Sequence, residues 1–411
     1  MKHYFVCIGL GLLSMYSWAE GRPDSGTAPA QSLEQVFMAA MDTNPALMIA
    51  KSQLEIGKAR QNQALAQLLP QISASGNFSD NDLRVPEDLS IPDTEYDGEK
   101  YALQLRQVLF NWQAFANRKR SSYEVDQREA EYFDRLGQLL LDTSDRYFAV
   151  LAAEDKRALV IAEREATDQQ LEQAESRYQR KLIKITDLYE VRARAAIIRA
   201  DEIDVDNELA LAKESLWELS GEEIGALYRL DESVSFPALV GDVESWVERA
   251  VAGNAVLQSR KFAVNAANQT ISEKKGAHFP TVTFVASRQK TDLGYENTPT
   301  DKRMITYYGV DVTIPIFTGG NNSAKVSEAY HLAQIAKSEQ EQVRREVVKR
   351  TRAAYLNANS SLRRIDAAKF AVKAANESAR AMSKGFEFGT VTLTDVLDSL
   401  RQEFSAQRDL Q

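Results

Sequence analysis

Four carboxylates occupy two matching settings in this chain. Asp187 and Glu190 lie in Ile185-Thr186-Asp187-Leu188-Tyr189-Glu190, and Asp395 and Asp398 lie in Leu393-Thr394-Asp395-Val396-Leu397-Asp398. A spacing of three puts both acids of a pair on one helix face. The chemistry open to them is electrostatic, and taken alone they read as helix-start acids that the macrodipole favours. Other reactive side chains are scarce. Past the first nineteen residues only His278 and His331 remain of the histidines, one at a helix–strand joint and one in mid-helix. No HExxH, GxSxG, phosphate-binding glycine loop or Cys/His cluster occurs, so nothing here reads as an enzyme.

The elements that carry these acids follow a targeting segment. Lys2 and His3, the short apolar run 4–16 and Ser17-Trp18-Ala19 read as a secretory signal over 1–19, with a linker over 20–30. The single cysteine, Cys7, falls inside that run, so the mature chain has no disulfide and no cysteine metal site; no cofactor is expected. No apolar stretch of eighteen residues follows, hence no transmembrane helix. A net charge of −9 argues against nucleic acid as a partner.

Beyond the signal the chain is written twice. Residues 33–70 register on 243–280 at an offset of 210, 101–110 on 308–317 at 207, and 177–190 on 385–398 at 208. The repeats are assigned to 31–242 and 243–411. Each reads as helix, strand, strand, very long helix, break, helix. Helical spacing runs over 33–69 until Pro70 ends it, and Pro280 stands at the same joint in the second copy. Strands are expected at 71–79, 101–110, 281–288 and 307–317, where apolar and small or polar residues alternate, with a polar loop over 81–99. From Asn111 to about Arg180 no proline occurs, which predicts a helix of about 105 Å. Gly319 and Gly320 permit a tight turn into a second such helix, over 321–384. Breaks at 178–187 and 385–395 then turn the chain back. Helices of this length must pack along one another as coiled coils do. Trp217 and Trp246 flank the linker between repeats and read as core of the waist.

The strands set the environment. Four strands of about nine residues with one apolar face match the dyad pattern of outer-membrane barrels. Four are too few to close a barrel, and open edges cannot sit in lipid. Chains must therefore pool their strands, and three chains give twelve. Tyr101, Tyr307, Tyr308, Phe110, Trp112 and Phe317 fall at strand ends, where aromatic girdles occur.

Here the chain resembles the TolC-like outer-membrane exit ducts of type I secretion and drug efflux, over about residues 31–411. The resemblance is carried by the joints Leu68-Leu69-Pro70-Gln71 and His278-Phe279-Pro280-Thr281, by Ile314-Pro315-Ile316-Phe317-Thr318-Gly319-Gly320, and by the acid-bearing breaks together. It implies a mainly α fold with a small β part: a homotrimer whose twelve-stranded barrel sits in outer-membrane lipid and whose twelve-helix tunnel crosses the periplasm. It implies passive conduction, with a periplasmic adaptor and an inner-membrane transporter of ABC, RND or MFS type as partners. By the same resemblance Asp395 and Asp398 match the acids that ring the entrance, and Asp187 matches the acid of the first tip, with Glu190 opposite Asp398 in the repeat. Six carboxylates round one axis would favour cations and should raise some of their pKa values. The tips near Lys181, Lys184, Gly385, Phe386, Gly389 and Val391 would meet the partner.

The chain departs from that pattern in three places. Val391 stands where the family often has an arginine that holds the tunnel shut, and Phe386 where a tyrosine-type residue donates a hydroxyl. Lys181 replaces the usual glycine of the first turn, and Lys181 or Lys184 is a substitute for the missing cation on position alone. By the 208 offset Gln411 corresponds to Ile203, so the last helix is expected to stop short and the trimer to assemble less stably than a longer version. The alternative reading is a periplasmic coiled-coil adaptor. It would share the long helices and the signal, but would not need two matched pairs of amphipathic strands.

Overall fold

A computed structural model describes residues 30–84, 94–229, 237–294 and 298–410. The expected signal over 1–19 with Cys7, nearly all of the 20–30 linker, and Gln411 lie outside the described residues. Element order is α1 (Leu33–Thr43), α2 (Pro45–Ala66), β1 (Gln71–Leu83), β2 (Thr94–Phe110), α3 (Trp112–Gln179), α4 (Ile185–Ser220), α5 (Val243–Gly253), α6 (Ala255–Gly276), β3 (Thr281–Leu293), β4 (Pro299–Thr313), α7 (Asn321–Glu387) and α8 (Leu393–Leu410). Corresponding elements match in length. α1 and α5 have 11 residues each, α2 and α6 have 22, and α3 and α7 have 68 and 67.

The helix expected over 33–69 is two helices. Asn44 interrupts it: its Oδ1 accepts from the amides of Ala46 and Leu47, while its Nδ2 donates to the Leu219 carbonyl. Pro45 fits the first helical position, where no donor is needed. The second repeat breaks at Asn254 with alanine following, so the asparagine cap, common to both, is enough to start the new helix.

The four strands form one antiparallel sheet in the order β1-β2-β3-β4. The β2–β3 pairing joins the repeats. Directly opposed residues share a face, so the register gathers Ile72, Ala74 and Phe78 with Leu103 and Leu105, then with Phe284 and Ala286, and finally with Tyr308, Val310 and Val312. This face is largely apolar and open: Phe78 is 68% exposed and Tyr308 72%, while Arg288 and Lys290 share it opposite Leu103 and Tyr101. The other face carries Ser73, Ser75, Asn77, Gln104, Ser287, Gln289 and Asp311. Among the described residues no other strand pairs with either outer edge.

Strand bounds differ from expectation in an informative way. β1 and β2 pair as far as Leu83 with Thr94, through residues read as loop. Their ends (Ser79-Asp80-Asn81-Asp82 and Thr94-Glu95-Tyr96-Asp97) are polar throughout, so the alternation stops while the hydrogen-bond ladder continues. β3 likewise runs on to Leu293. β4 begins earlier, at Pro299, and ends at Thr313 rather than 317. Its partner has only Thr281 left to pair with, and Pro315 has no amide hydrogen to donate. Tyr101, Tyr307 and Tyr308 therefore lie inside strands rather than at their ends.

α3, at 68 residues, is about 102 Å long. It packs along α2 and α6 near the sheet and along α1 and α4 farther away. At the waist Val36, Tyr147, Val150, Leu151, Leu216 and Leu227 form one buried cluster. Tyr147 Oη donates there to the carbonyls of Gln31 and Tyr228. Trp217, expected in this core, is half exposed. Leu216 and Leu219 point inward, and Trp217 is turned about 100° away from Leu216 on the helix. Trp246 carries Arg249 stacked on its ring at 4.0 Å.

Candidate functional site

The end of the molecule remote from the sheet consists of two helix breaks brought side by side. Each long helix closes with a left-handed residue at an equivalent place: Lys181 with φ 61° and Gly389 with φ 73°. The closing hydrogen bonds match as well. Leu182 N donates to Arg177 O at 2.9 Å and Thr390 N to Gly385 O at 2.9 Å, the six-to-one bond of a glycine-type C-cap. Glycine adopts this conformation without penalty, whereas a lysine there crowds its own Cβ against the backbone. Gly385 and Val391 belong to one turn, since a Cβ on Gly385 would meet Val391 Cγ2 at 3.2 Å. At the other end of α7, Gly319 and Gly320 are also left-handed, with φ 62° and 83°. Pro70 and Pro280 each stand immediately before a strand.

Both returning helices start with an acid folded back on the chain. In α8 the Thr392 amide donates to Asp395 Oδ2 at 2.8 Å, Thr392 Oγ1 donates to the same oxygen at 2.6 Å, and the Asp395 amide donates to Thr392 Oγ1 at 3.3 Å. This is a reciprocal capping box. The Thr392 hydroxyl and then the Thr392 amide hold the Asp395 carboxyl below the usual carboxylate range. Among the described residues no neighbouring carboxylate acts to raise it. In α4 only half of the box exists: the Lys184 amide donates to Asp187 Oδ2 at 3.3 Å, and Thr186 Oγ1 donates to Asp187 Oδ1 at 3.1 Å.

The second acids differ. Glu190 Oε2 accepts from Thr394 Oγ1 at 3.2 Å, a bond between the two tips. Asp398 is exposed and makes no hydrogen bond or ion pair among the described residues. Lys181 and Lys184 are exposed and form no ion pair there either. Beneath the tips Ala174, Leu188, Val191 and Leu393 are buried together, with Leu171, Ile183, Phe386 and Leu397 packed on them. Arg177 lies over the Phe386 ring, 4.3 Å from its centroid. The ring that lacks a hydroxyl thus still binds its neighbour, as the face of a cation–π pair. Sequence reasoning missed Arg177 and Thr394. Arg177 could have been found from the repeat, because Tyr178 is the partner of Phe386 and Arg177 precedes it.

A profile of the outer membrane efflux protein family matches residues 37–222 and 246–411. The chain belongs to that family. It is an outer-membrane exit duct of the efflux and secretion kind. The duct is 27% identical to the outer membrane protein TolC of Vibrio cholerae over 411 residues, covering 99% of this chain and 90% of that one. It is 25% identical to the alkaline protease secretion protein AprF of Pseudomonas aeruginosa, over 90% of this chain and 79% of that one. Its fold is similar to that of the Campylobacter jejuni CmeC outer membrane channel, with a TM-score of 0.82 at 15% identity, over 92% of this chain and 81% of that one. Nothing supports the adaptor alternative. Among the described residues no helix is long and apolar enough to cross a membrane; the sheet is the part of the duct suited to lipid.

Proposed function

We propose that three copies of this chain close one twelve-stranded barrel in the outer membrane and hang a twelve-helix tunnel into the periplasm. The assembly conducts substrate passively and is gated at the tips formed by 178–187 and 385–395. The observation that carries this reading is the sheet. It has one open, largely apolar face and, among the described residues, two unpaired edges, and lipid tolerates neither edge. Nine residues such as 71–79 rise about 30 Å along a strand, and about 23 Å of height at a tilt near 40°, which fits the apolar band of an outer-membrane barrel.

At the tips Asp398 is the acid free to face an axis, with Asp395 beside it on the same helix face. The exposed side chains of Leu182, Tyr189 and Phe388 and the two unpaired lysines offer a docking surface for a periplasmic adaptor and, through it, an inner-membrane transporter. Docking shifts a closed–open equilibrium only by its preference for the open form. Conductance across a planar lipid bilayer tests the proposal. Small, cation-selective steps that lose selectivity in Asp395→Ala/Asp398→Ala are expected. Steps indifferent to both substitutions would move the gate elsewhere, and the absence of any steps from membrane-extracted protein would overturn the barrel.

A further inference from the structure

The open face of the sheet is apolar on the helix side and turns basic farther out. Row by row, Val282 faces Val312, Phe284 faces Val310, and Ala286 lies between Leu105 and Tyr308. The next row sets Arg288 between Leu103 and Thr306, and the one after sets Lys290 between Tyr101 and Met304. Both cations are exposed, and so are their apolar neighbours: Leu103 is 53% exposed and Met304 57%. β3 is an inner strand, with β2 and β4 paired on its two sides. The basic pair therefore needs no residue from another copy and keeps its place on this face however the edges close.

What the two cations touch does not neutralise them. Arg288 donates from Nε at 3.2 Å and from Nη2 at 3.0 Å to one atom, the Met304 thioether sulfur, a weak and uncharged acceptor. Neither Arg288 nor Lys290 makes an ion pair among the described residues. The one acid of β3, Asp292, accepts instead from the Glu99 amide, through Oδ1 at 2.6 Å.

Their height gives these charges a setting. Arg288 is six residues beyond Val282 and Lys290 eight, which is about 20 and 26 Å along the strand, or about 15 and 20 Å of height at a tilt near 40°. The apolar band of an outer-membrane barrel is about 25 Å tall, so both stand in its upper part, on the side remote from the helices. A cation on a lipid face costs most at mid-depth and little near the interface, and both side chains are long enough to carry their charge toward the headgroups. Tyr101, set edge-to-face against Phe78 with centroids 5.4 Å apart, stands in the Lys290 row, at the level where interfacial aromatics gather.

We infer that Arg288 and Lys290 form a binding site for a phosphate-bearing lipid of the outer leaflet. The inference rests on the barrel reading above, which puts the helix-remote end of the sheet outermost. The guanidinium presents a planar fork of donors to phosphate, and the ammonium adds a point charge beside it. Leu103, Ala286 and Met304 offer apolar surface to the acyl chains. A periplasmic partner docks at the opposite end of the molecule and does not reach these rows.

The experiment is native mass spectrometry of the full-length protein, titrated in detergent with diphosphoryl lipid A or with the same lipid after its phosphates are removed. A chelator is present, so that no divalent ion bridges phosphate to Glu99 or Asp292. Wild type is expected to bind the phosphorylated lipid about tenfold more tightly than the dephosphorylated one, about the effect of one charge-assisted phosphate contact. Arg288→Gln/Lys290→Gln should lose that preference, and Arg288→Lys should keep part of it. The control is Lys100→Gln/Arg303→Gln. Those two cations stand opposite Thr291 on the other face, at nearly the same height, so their removal changes the net charge equally. Equal loss in the two double variants would overturn the site. So would equal binding of the two lipids by wild type, a comparison that depends on no variant folding. Protein that takes up neither lipid and gives no conductance steps would instead sink the barrel reading.

Discussion

The two tips repeat one turn and are no longer built alike. At the offset of 208, Lys184 faces Thr392, Ile185 faces Leu393, Leu188 faces Val396, and Glu190 faces Asp398. The second tip is well made. Glycine takes the left-handed position, threonine and aspartate close a full capping box, and Leu393 is buried. The first tip has lysine in the left-handed position and a lysine as cap with no side-chain acceptor, and Ile185 is 40% exposed. Its acids are more engaged, however: Glu190 bonds the neighbouring tip, while Asp398 has no bond among the described residues. One copy has kept a firm turn with a free acid, and the other has a strained turn and serves as the surface on which its partner rests.

Substitutions can break or sharpen this contrast. The largest effect is expected from Leu188→Ala. It empties the middle of the cluster beneath both tips and should destabilise the tip region by about 3 kcal/mol, read as faster hydrogen exchange in both α4 and α8. Protection lost in α4 alone would show that the cluster does not couple the tips. Thr392→Ala removes the cap hydroxyl and should cost about 1 kcal/mol in the first turn of α8.

The same change bears on pH. The Asp395 pKa is lowered in the folded chain, so its contribution is complete above the unfolded pKa and disappears as pH falls through the lower folded value. Fraying of the α8 start should therefore appear only in acid below the ordinary aspartate range. Thr392→Ala should move the Asp395 midpoint upward in an NMR titration.

Lys181→Gly should work in the opposite sense. Relief of the left-handed strain is worth about 1 kcal/mol, less part of the entropy that glycine gains when unfolded, and the first tip should exchange more slowly. The smallest effect belongs to Arg177→Ala. Loss of a partly exposed cation–π contact is worth about 0.5–1 kcal/mol and should show chiefly in Phe386→Leu failing to add to it in a double-mutant cycle.

Much of this was legible without coordinates. The long helices are marked by the absence of proline, and the sheet by alternation. The two-fold plan is marked by registers that need no gap within each block. The errors cluster where hydrogen bonding outlasts hydrophobic pattern. The strands continue past Ser79 and begin before Tyr101 because backbone pairing is indifferent to side-chain polarity. Asn44 broke a helix that periodicity carried through, because a cap acts through one side chain and leaves the apolar spacing intact. Trp217 was assigned to the core on size, yet burial follows helical phase.

At the candidate site the sequence by itself determined the acids, their spacing of three and the lysine that stands at 181 where the second repeat has Gly389, because these are local facts of residue type and order. Only the tertiary structure decided what each acid touches. Asp395 is held by its own cap, Glu190 by the opposite tip, Asp398 by nothing among the described residues, and Glu163 by two helices that reach it from residues 31 and 245 positions away. No pattern within either helix records such a meeting, since an ion pair needs only that two charges arrive at the same place, and their arrival is set by the packing of every helix between them.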